Sequence, residues 1–191
     1  MSTSRVGLWD SKYAGNPKRQ MYADPLSAEL AGEWLRRDDI VTVEDWGCGF
    51  GGFSAYLAYL GDWQSYVGVD GSASPHADVR ADLVSYTSQA DAIHLRHVLE
   101  HNPDWRKILS NVLVSFRKRA VVTIFTPFSE VEQILAKYPN FLGTGATMVD
   151  ISLIKKDVDQ MIADRLGVYK IEKEIKSNTQ YGKEYIYFLS L

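Results

Sequence analysis

The chain has little that would mark it for export or for a membrane. It contains one cysteine, Cys48, in 191 residues, so an internal disulfide bond is excluded. It lacks an apolar N-terminal core like that of a signal peptide, and no apolar run is long enough to cross a bilayer. These absences agree with a reducing compartment, and we predict a cytoplasmic location.

An excess of positive charge is also lacking. The chain carries 21 Lys and Arg residues against 24 Asp and Glu residues, which gives a net charge of −3. Since proteins that bind nucleic acid usually present a basic face, we expect neither a nucleic-acid nor a membrane partner. With 46% apolar residues the chain can build a core. We predict one domain over 1–191, in which an N-terminal segment and helix (1–38) precede a cofactor-binding core (39–191) that ends in a strand pair.

Strand-like and helix-like segments alternate along the chain, which predicts an α/β fold. We expect a Rossmann-like open sheet of about seven strands, mostly parallel, with an antiparallel C-terminal edge strand and helices on both faces. The turn-rich segment SNTQYGK predicts that the last two strands pair antiparallel. The predicted strands are 41–46, 66–70, 78–83, 91–96, 119–125, 169–175 and 184–189. The predicted helices are 25–37, 52–60, one that opens at 102–104, 131–138 and 154–166.

The densest signal is the glycine loop, Gly47-Cys48-Gly49-Phe50-Gly51-Gly52, directly after a predicted strand. Glycines there let the backbone turn sharply and approach a ligand, and the following helix presents free N–H groups. Asp70 ends the next predicted strand, where a carboxylate can accept hydrogen bonds from both hydroxyls of a ribose. The pattern predicts an adenosine-containing ligand and, taken alone, fits both a nicotinamide dinucleotide and another adenosine cofactor.

Three further features favour a cofactor with a cationic methionine moiety. Glu44 and Asp45 precede the glycine loop, where they would repel a diphosphate and attract an amino group. Asp82 ends the third predicted strand and offers an acceptor for an adenine amino group. The segment RHVLEHN follows the fourth predicted strand.

Taken in order, DWGCGFGGF, YVGVDGS, ADL and HVLEH resemble the successive motifs of class I S-adenosylmethionine-dependent methyltransferases, here as a small single-domain member. The resemblance runs from about residue 41 to 127, and LWDSKY resembles the N-terminal segment of many small members. It implies that S-adenosylmethionine is the cofactor and that the acceptor is a small molecule or a glycan-type molecule. The cofactor-binding residues that it implies are Asp45, Gly47, Cys48, Gly49, Asp70, Gly71, Ser72, Asp82, Leu83, Arg96 and His97. The link from Asp70 to Asp78 is too short for the helix usual there, so we expect a loop.

A methyl group on a sulfonium is already a strong electrophile, so the protein mainly orients the acceptor and excludes water. A base is needed only where the acceptor loses a proton, and His97 and His101 are the candidate catalytic residues. Alternatively, His97 only shapes the pocket and His101 flanks the helix that starts at Asn102; Glu100 is interpreted as an orienting residue. We predict no metal site, although HxxEH partly resembles the metal-binding ExxEH of small-RNA 2′-O-methyltransferases.

Aromatic residues are candidates for acceptor contact. Trp9, Tyr13 and Tyr22 are predicted to form a lid over the site, with packing against the sheet edge as the alternative. Phe128 follows the fifth predicted strand, where acceptors usually enter, and Arg19 is a candidate for binding the cofactor carboxylate. Two other functions stay open at this point, a nicotinamide-dependent oxidoreductase and a non-catalytic cofactor-binding module. The acceptor atom and the oligomeric state are open as well.

Overall fold

The computed structural model describes residues 7–15, 17–36, 39–61, 65–165, 167 and 169–191. Strands and helices alternate along these residues, as the sequence predicted. The strands are β1 (Val43–Trp46), β2 (Tyr66–Asp70), β3 (Val79–Arg80), β4 (Ala92–Arg96), β5 (Arg119–Ile124), β6 (Gln133–Tyr138), β7 (Met148–Ser152), β8 (Tyr169–Lys176) and β9 (Lys183–Ser190). The helices are α1 (Asp10–Tyr13), α2 (Leu26–Leu35), α3 (Gly52–Leu60), α4 (Trp105–Ser115) and α5 (Lys155–Ala163), and short 3₁₀ turns span Leu99–His101 and Phe141–Gly143.

Seven strands form the main sheet, in the order β3-β2-β1-β4-β5-β9-β8. The strands from β3 to β5 run parallel, whereas β9 is antiparallel to both of its neighbours, β5 and β8. The strand order reverses between β1 and β4, and in open α/β sheets ligands bind at the carboxyl ends of the strands at such a point. The Rossmann-like fold class predicted from the sequence is confirmed.

Helices cover both faces of this sheet, as the nearly continuous apolar runs of β4 and β5 require. Helices α2 and α3 cover one face, where Phe53 and Val121 lie in the same core cluster. Helix α4 and helix α5 cover the other, around the fully buried Trp105. The buried face of α4 consists of Ile108, Leu109, Val112 and Leu113, with Phe116 just beyond the helix. In the described part of the chain, no helix has the length and apolar character that crossing a membrane requires.

Helix α2 is shorter than the predicted 25–37. Asp24 Oδ1 accepts a hydrogen bond from the N–H of Leu26 at 3.3 Å, and Pro25 is the N-cap residue. Leu26 itself is exposed. The buried face is made mainly of small residues because α2 lies close to α3, and the ring of Tyr56 occupies the space beside Gly32. Residues 37 and 38 lie outside the described residues.

The segment 131–138 contains a strand, and the helix predicted there is wrong. Strand β6 pairs antiparallel with β7 in a separate two-stranded sheet, with an irregularity between Ile134 and Ala136. The hydrogen bonds that define β6 are made with a strand further along the chain, and local periodicity does not reveal such a partner. The same reasoning missed β7, all of whose residues are buried.

Other predicted elements differ only in their bounds. Strand β1 begins at Val43 rather than at 41, β3 is limited to Val79–Arg80, and α5 ends at Ala163, with Leu166 outside the described residues. The link between β2 and β3 is a loop, as expected. It is closed by a reciprocal pair of 2.8 Å hydrogen bonds, from Gly68 N–H to Asp78 Oδ2 and from Asp78 N–H to Gly68 O.

Candidate active site

A cavity of about 350 Å³ opens at the carboxyl ends of β1, β2 and β4. Its size lies within the range of small-molecule sites. Its wall comes from the glycine loop, the loops after β2 and β3, the turn after β4 and the N-terminal segment that carries α1. The predicted site residues in this wall are Trp9, Tyr13, Tyr22, Gly47, Cys48, Gly49, Asp70, Gly71, Ser72, Asp82, Leu83, Arg96, His97 and His101.

The glycine loop depends on backbone conformations that other residues rarely adopt. Gly47 and Gly49 have φ angles of 80° and 49°. A Cβ atom at Gly47 would collide with Cγ2 of Val98, in the turn after β4. Glycine is therefore required where this loop passes beside the turn after β4.

Asp70 holds the glycine loop in place from the end of β2. Its Oδ2 accepts a hydrogen bond from Gly49 N–H at 2.9 Å, and its Oδ1 accepts one from Ser72 N–H at 2.7 Å. A carboxylate has about four acceptor positions, so these two bonds leave capacity for the hydroxyls of a ribose. The side chain lines the cavity and fits the role that its sequence position suggests.

Asp45 lies away from the cavity wall, and its contact with a cofactor stays a prediction. Its carboxylate is buried, accepts a hydrogen bond from Tyr66 Oη at 2.8 Å and lies 2.8 Å from His94 Nδ1. His94 stacks on Phe53 of α3. Alternate side chains of a strand point to opposite faces, and β1 directs Asp45 to the α3 side of the sheet.

Phe128 also lies away from the cavity wall, and its contact with an acceptor stays a prediction. Its ring packs against Tyr185 of β9 at a centroid distance of 4.8 Å and against the core cluster beside α5. Phe125, at the end of β5, is the aromatic residue next to the predicted catalytic histidines, with its ring centroid 4.7 Å from that of His97.

The N-terminal segment lies over the crevice and is tied to the loop after β2. Asp10 accepts a 2.6 Å hydrogen bond from Ala73 N–H and forms a 2.9 Å ion pair with Arg80. These contacts hold α1 where Trp9 and Tyr13 enter the cavity wall. This is the geometry of the aromatic lid that the sequence suggested.

A small group of aromatic rings surrounds a lysine in this lid. Tyr13 stacks near Trp9 at 5.8 Å between centroids and meets Phe50 of the glycine loop edge-on at 4.7 Å. Lys12 Nζ lies over all three rings, at 4.9 Å from Trp9, 5.5 Å from Tyr13 and 6.0 Å from Phe50. We refer to these three rings as the aromatic cage.

Tyr22 and Arg96 form the part of the wall next to the start of α3. A Cβ atom at Gly52 would lie 2.5 Å from the Tyr22 ring, so the helix begins with glycine where the ring packs. The Arg96 guanidinium stacks on Tyr22 at 4.2 Å. Its Nε donates to Ser27 Oγ at 3.0 Å and its Nη2 donates to Glu184 Oε1 at 2.6 Å.

His97 is held by the same carboxylate as Arg96. Its Nε2 lies 2.5 Å from Glu184 Oε1, and its φ of 56° is unusual for a residue other than glycine. Burial lowers the pKa of His97 to about 4, although the hydrogen bond with Glu184 acts in the opposite direction. Burial alone would raise the pKa of Glu184, but the bond with His97 and the Arg96 charge hold it below its usual value.

Sequence reasoning missed Glu184. This side chain is fully buried on β9, although it belongs to a strand whose other buried residues are apolar or aromatic. The available signal was one acidic residue at the start of the apolar run YIYFL, because a buried charge needs a partner.

His101 is the second histidine in the cavity wall. Its Nδ1 lies 3.1 Å from Asp150 Oδ1 and 3.2 Å from Val149 O, both on β7. Donation from Nδ1 to Val149 O, with the Asp150 carboxylate beside it, leaves the acceptor lone pair on Nε2. A histidine oriented in this way by a carboxylate has the arrangement of a general base.

Three parts of the chain converge on Asp150. Its Oδ2 accepts hydrogen bonds from Tyr138 of β6 at 3.0 Å and from Gln180 and Tyr181 of the β8–β9 loop at 2.7 and 3.1 Å. Burial by itself would raise the pKa of Asp150, but its bond with His101 and those from the two tyrosines hold the value below normal. Asp150 is therefore a carboxylate at neutral pH. The sequence analysis missed it because β7 was not predicted.

Glu100 is fully buried and does not line the cavity. Its Oε1 accepts a 2.7 Å hydrogen bond from Phe125 N–H, which fastens the turn after β4 to the end of β5. Burial raises the pKa of Glu100 to about 7. This geometry agrees with the orienting role expected from the sequence.

The described residues form neither a metal-binding group nor a reactive thiol. No group of three or more His, Cys, Asp and Glu side chains there is arranged to hold a metal ion. The two histidines of HxxEH contact different carboxylates, Glu184 and Asp150. Cys48 is buried with a raised pKa, mainly through desolvation, so its thiol stays protonated.

Several wall residues were not predicted. Arg19, proposed for the cofactor carboxylate, is not among the residues that form the wall. Most of the residues that were missed lie in irregular segments without periodicity or on the lid. They are Lys12, Gln20, Met21, Phe50, Gly52, Ala81, Val98, Asn102 and Ile108.

The strand order, the glycine loop and the acidic residue that ends β2 together define a class I, Rossmann-like methyltransferase. A family model described as a methyltransferase domain matches residues 18–161. The chain therefore belongs to this methyltransferase domain family, and the resemblance noted in the sequence is confirmed. No curated protein matches the chain by sequence.

Solved structures share this fold at low sequence identity. Magnesium protoporphyrin IX methyltransferase (ChlM) from Synechocystis PCC 6803, with bound S-adenosylmethionine (SAM), has a TM-score of 0.61 and 16% identity, covering 86% of this chain and 78% of that one. The 1,6-didemethyltoxoflavin-N1-methyltransferase of Burkholderia thailandensis has a TM-score of 0.61 and 14% identity over 86% and 76% of the chains. CalS10, an amino pentose methyltransferase from Micromonospora echinaspora, has a TM-score of 0.54 and 11% identity over 85% and 88%.

Proposed function

We propose that this methyltransferase binds SAM in the cavity and methylates a hydroxyl group of a small-molecule or glycan-type acceptor. The observation that carries the proposal is the His101–Asp150 pair in the wall of the cavity that also contains the glycine loop. A hydroxyl group loses its proton on methylation, and this pair is arranged to accept one.

The chain's own residues fit an adenosine cofactor. Asp70 keeps acceptor capacity at the end of β2, and Gly47 has no Cβ that would narrow the cavity. In the proposal, Asp70 binds the ribose, Asp82 and Leu83 face the adenine, and Gly47 lines the methionine half. Gly49, Gly71, Ser72, Cys48 and Arg96 complete this side of the wall.

Bound SAM supplies an electrophilic methyl group, and the chain supplies position and proton transfer. The cavity wall would orient the acceptor hydroxyl toward that methyl group and keep water out. With SAM bound, His101 Nε2 would take the proton that the acceptor hydroxyl loses when it is methylated. Asp150 stabilises the imidazolium that results, and S-adenosylhomocysteine is the second product.

We assign His97 a different role from His101. Its Nε2 is bonded to Glu184, and its lowered pKa keeps the ring neutral at physiological pH. The left-handed backbone of His97 turns the chain between β4 and the 3₁₀ turn that carries His101. In this proposal His97 shapes the pocket and does not exchange a proton.

The acceptor class is inferred from the cavity and from proteins that share the fold. Trp9, Tyr13 and Tyr22 offer flat apolar surfaces on which a ring or a sugar face can lie. The three similar structures are named for a porphyrin, a toxoflavin precursor and an amino pentose. Family membership favours methyl transfer over the nicotinamide alternative. The cytoplasmic location, the single-domain organisation and the absence of nucleic-acid and membrane partners stay predictions.

Calorimetry with SAM and S-adenosylhomocysteine tests cofactor binding directly. Transfer of a labelled methyl group from SAM to a panel of phenols, sugars, amines and carbon acids then tests the acceptor class. We expect binding of both ligands and labelling of hydroxyl compounds. Binding of neither ligand by the folded protein would end the proposal, and labelling of amines or carbon acids alone would refute hydroxyl methylation. Tight binding with no transfer would favour the non-catalytic module.

A further inference from the structure

The two oxygens of the Asp150 carboxylate have different surroundings. Oδ2 accepts hydrogen bonds from three polar side chains, those of Tyr138, Gln180 and Tyr181. Oδ1 is buried, lies 3.1 Å from His101 Nδ1 and accepts no other hydrogen bond among the described residues. The carboxylate is therefore fixed with one oxygen toward its three donors and the other toward the histidine ring.

The three donors support the His101–Asp150 pair from outside the cavity. Tyr138 belongs to β6, whereas Gln180 and Tyr181 belong to the β8–β9 loop, and none of the three lines the cavity. Gln180 Oε1 lies 3.0 Å from Tyr138 Oη, and the Tyr181 ring packs beside Phe125 at a centroid distance of 5.7 Å. The donors are thus held by one another and by the core, and they can act on a reaction in the cavity only through Asp150.

Both tyrosine hydroxyls keep their protons and remain donors at ordinary pH. Desolvation raises the pKa of Tyr181 to about 12, and it also raises the pKa of Tyr138. A neutral donor bonded to a carboxylate stabilises the negative charge and weakens the attraction of the carboxylate for a nearby proton. Loss of a donor would leave more of the Asp150 charge to be balanced at Oδ1, beside His101.

We propose that these three donors are positioning residues, because they hold Asp150 Oδ1 beside His101 and limit how strongly the carboxylate draws a proton onto the ring. The assignment rests on the proposed function, in which His101 accepts a proton from the acceptor. A base must be unprotonated before it can act. With fewer donors on Asp150, the ring would hold a proton more firmly and would be available as a base over less of the pH range.

Other groups around His101 stay the same in every variant of the test. Glu100 and His97 interact with it from its own turn, and the uncharged rings of Trp9 and Phe125 both lie 5.5 Å from it between centroids. Because burial raises the pKa of Glu100 to about 7, this residue titrates in the same range. Differences between variants that all retain Glu100 therefore isolate the effect of the donors.

Titration of the His101 ring by nuclear magnetic resonance tests the proposal and requires neither cofactor nor acceptor. The chain has four histidines, and His101→Asn identifies the resonance that belongs to His101. Tyr181→Phe and Tyr138→Phe each remove one donor and keep the ring. Tyr169→Phe is the matched control, because Tyr169 is exposed at the far end of β8 and does not line the cavity. Thermal unfolding of each variant establishes that it is folded.

We expect Tyr181→Phe and Tyr138→Phe each to move the titration midpoint of His101 upward by about half a pH unit to one unit. Tyr169→Phe should leave the midpoint in place, and Asp150→Asn should move it downward because an amide does not balance the charge of the protonated ring. The acid limb of the pH–rate profile for methyl transfer should shift in the same directions. Affinity for S-adenosylhomocysteine should stay within about twofold in the tyrosine variants.

A midpoint that stays in place or moves downward in both tyrosine variants would overturn the positioning role and leave the proposed function intact. A midpoint that moves upward while the pH–rate profile does not shift would support the effect of the donors on His101. It would also show that His101 is not the base, so the proposed reaction would fail on its own.

Discussion

The two ends of the cavity are built in different ways. At the cofactor end, Asp70 and the glycine loop come from adjacent parallel strands, and Asp70 bonds directly to Gly49 and Ser72. At the acceptor end, His101 depends on Asp150 of β7, which in turn depends on β6 and the β8–β9 loop. The first end is encoded in short motifs, whereas the second exists only after distant segments have packed. We therefore expect substitutions at the two ends to separate binding from chemistry.

The largest separation is expected for His101→Asn. Loss of the base should lower the rate of methyl transfer to a hydroxyl acceptor by about a hundredfold to a thousandfold. Affinity for S-adenosylhomocysteine should change less than about threefold, since His101 makes no proposed bond to the cofactor. Initial rates and calorimetry measure the two quantities. Equal losses in the rate of methyl transfer and in the affinity for S-adenosylhomocysteine would show that the two ends do not separate binding from chemistry.

The reciprocal result is expected at the cofactor end for Asp70→Asn. Two ribose hydroxyls lose a charged acceptor, so affinity for SAM should fall by about a hundredfold. Asp45→Asn is the control, because Asp45 lies below the loop with Tyr66 and His94 and away from the cavity wall. It should lower the midpoint of thermal unfolding while affinity changes much less. If Asp45→Asn weakened SAM binding more than Asp70→Asn did, Asp45 would be assigned to the cofactor site.

Asp150→Asn should have a smaller effect than loss of the base itself. The amide still contacts His101 but does not stabilise an imidazolium, so the rate should fall by about tenfold or more. The loss should appear in kcat, with the affinity for S-adenosylhomocysteine unchanged. A rate equal to wild type would mean that the carboxylate serves only to join β6, β7 and the β8–β9 loop.

The smallest effect concerns Glu100, which lies between the two ends. Its pKa of about 7 in the folded protein exceeds the usual 4.5, so the folded state holds an extra proton between these values. Wild type therefore loses stability as pH rises from about 4.5 to about 7, and Glu100→Gln removes this loss. The difference in unfolding free energy, variant minus wild type, should grow by about 1–3 kcal/mol over that range.

Urea unfolding at pH 5 and pH 8 measures this difference. His97 has the opposite slope, because its lowered pKa costs stability as pH falls from 6.5 toward 4. Since His97 is present in both proteins, its contribution cancels. A difference independent of pH would show that Glu100 is not buried as described.

The sequence analysis succeeded where structure follows from neighbouring residues. The glycine loop and β2 each depend on a pattern of a few residues, and both were predicted. The failures have a shared physical cause. Strand β6 takes its hydrogen bonds from β7, and Asp150 takes its role from His101, Tyr138 and Tyr181, so neither has a local signature. Phe128 follows the strand as expected, yet its ring packs on Tyr185 and not in the cavity.

The contact of Asp10 with Arg80 also affects how quickly ligands can enter and leave the site. Both side chains are more than a third exposed, so the pair contributes at most about 1 kcal/mol and is screened by dissolved ions. Because this contact helps to hold α1 over the crevice, the N-terminal segment is secured lightly. Ionic strength should therefore affect how long a ligand stays bound in the crevice, although the ion pair lies at a distance from the reacting atoms.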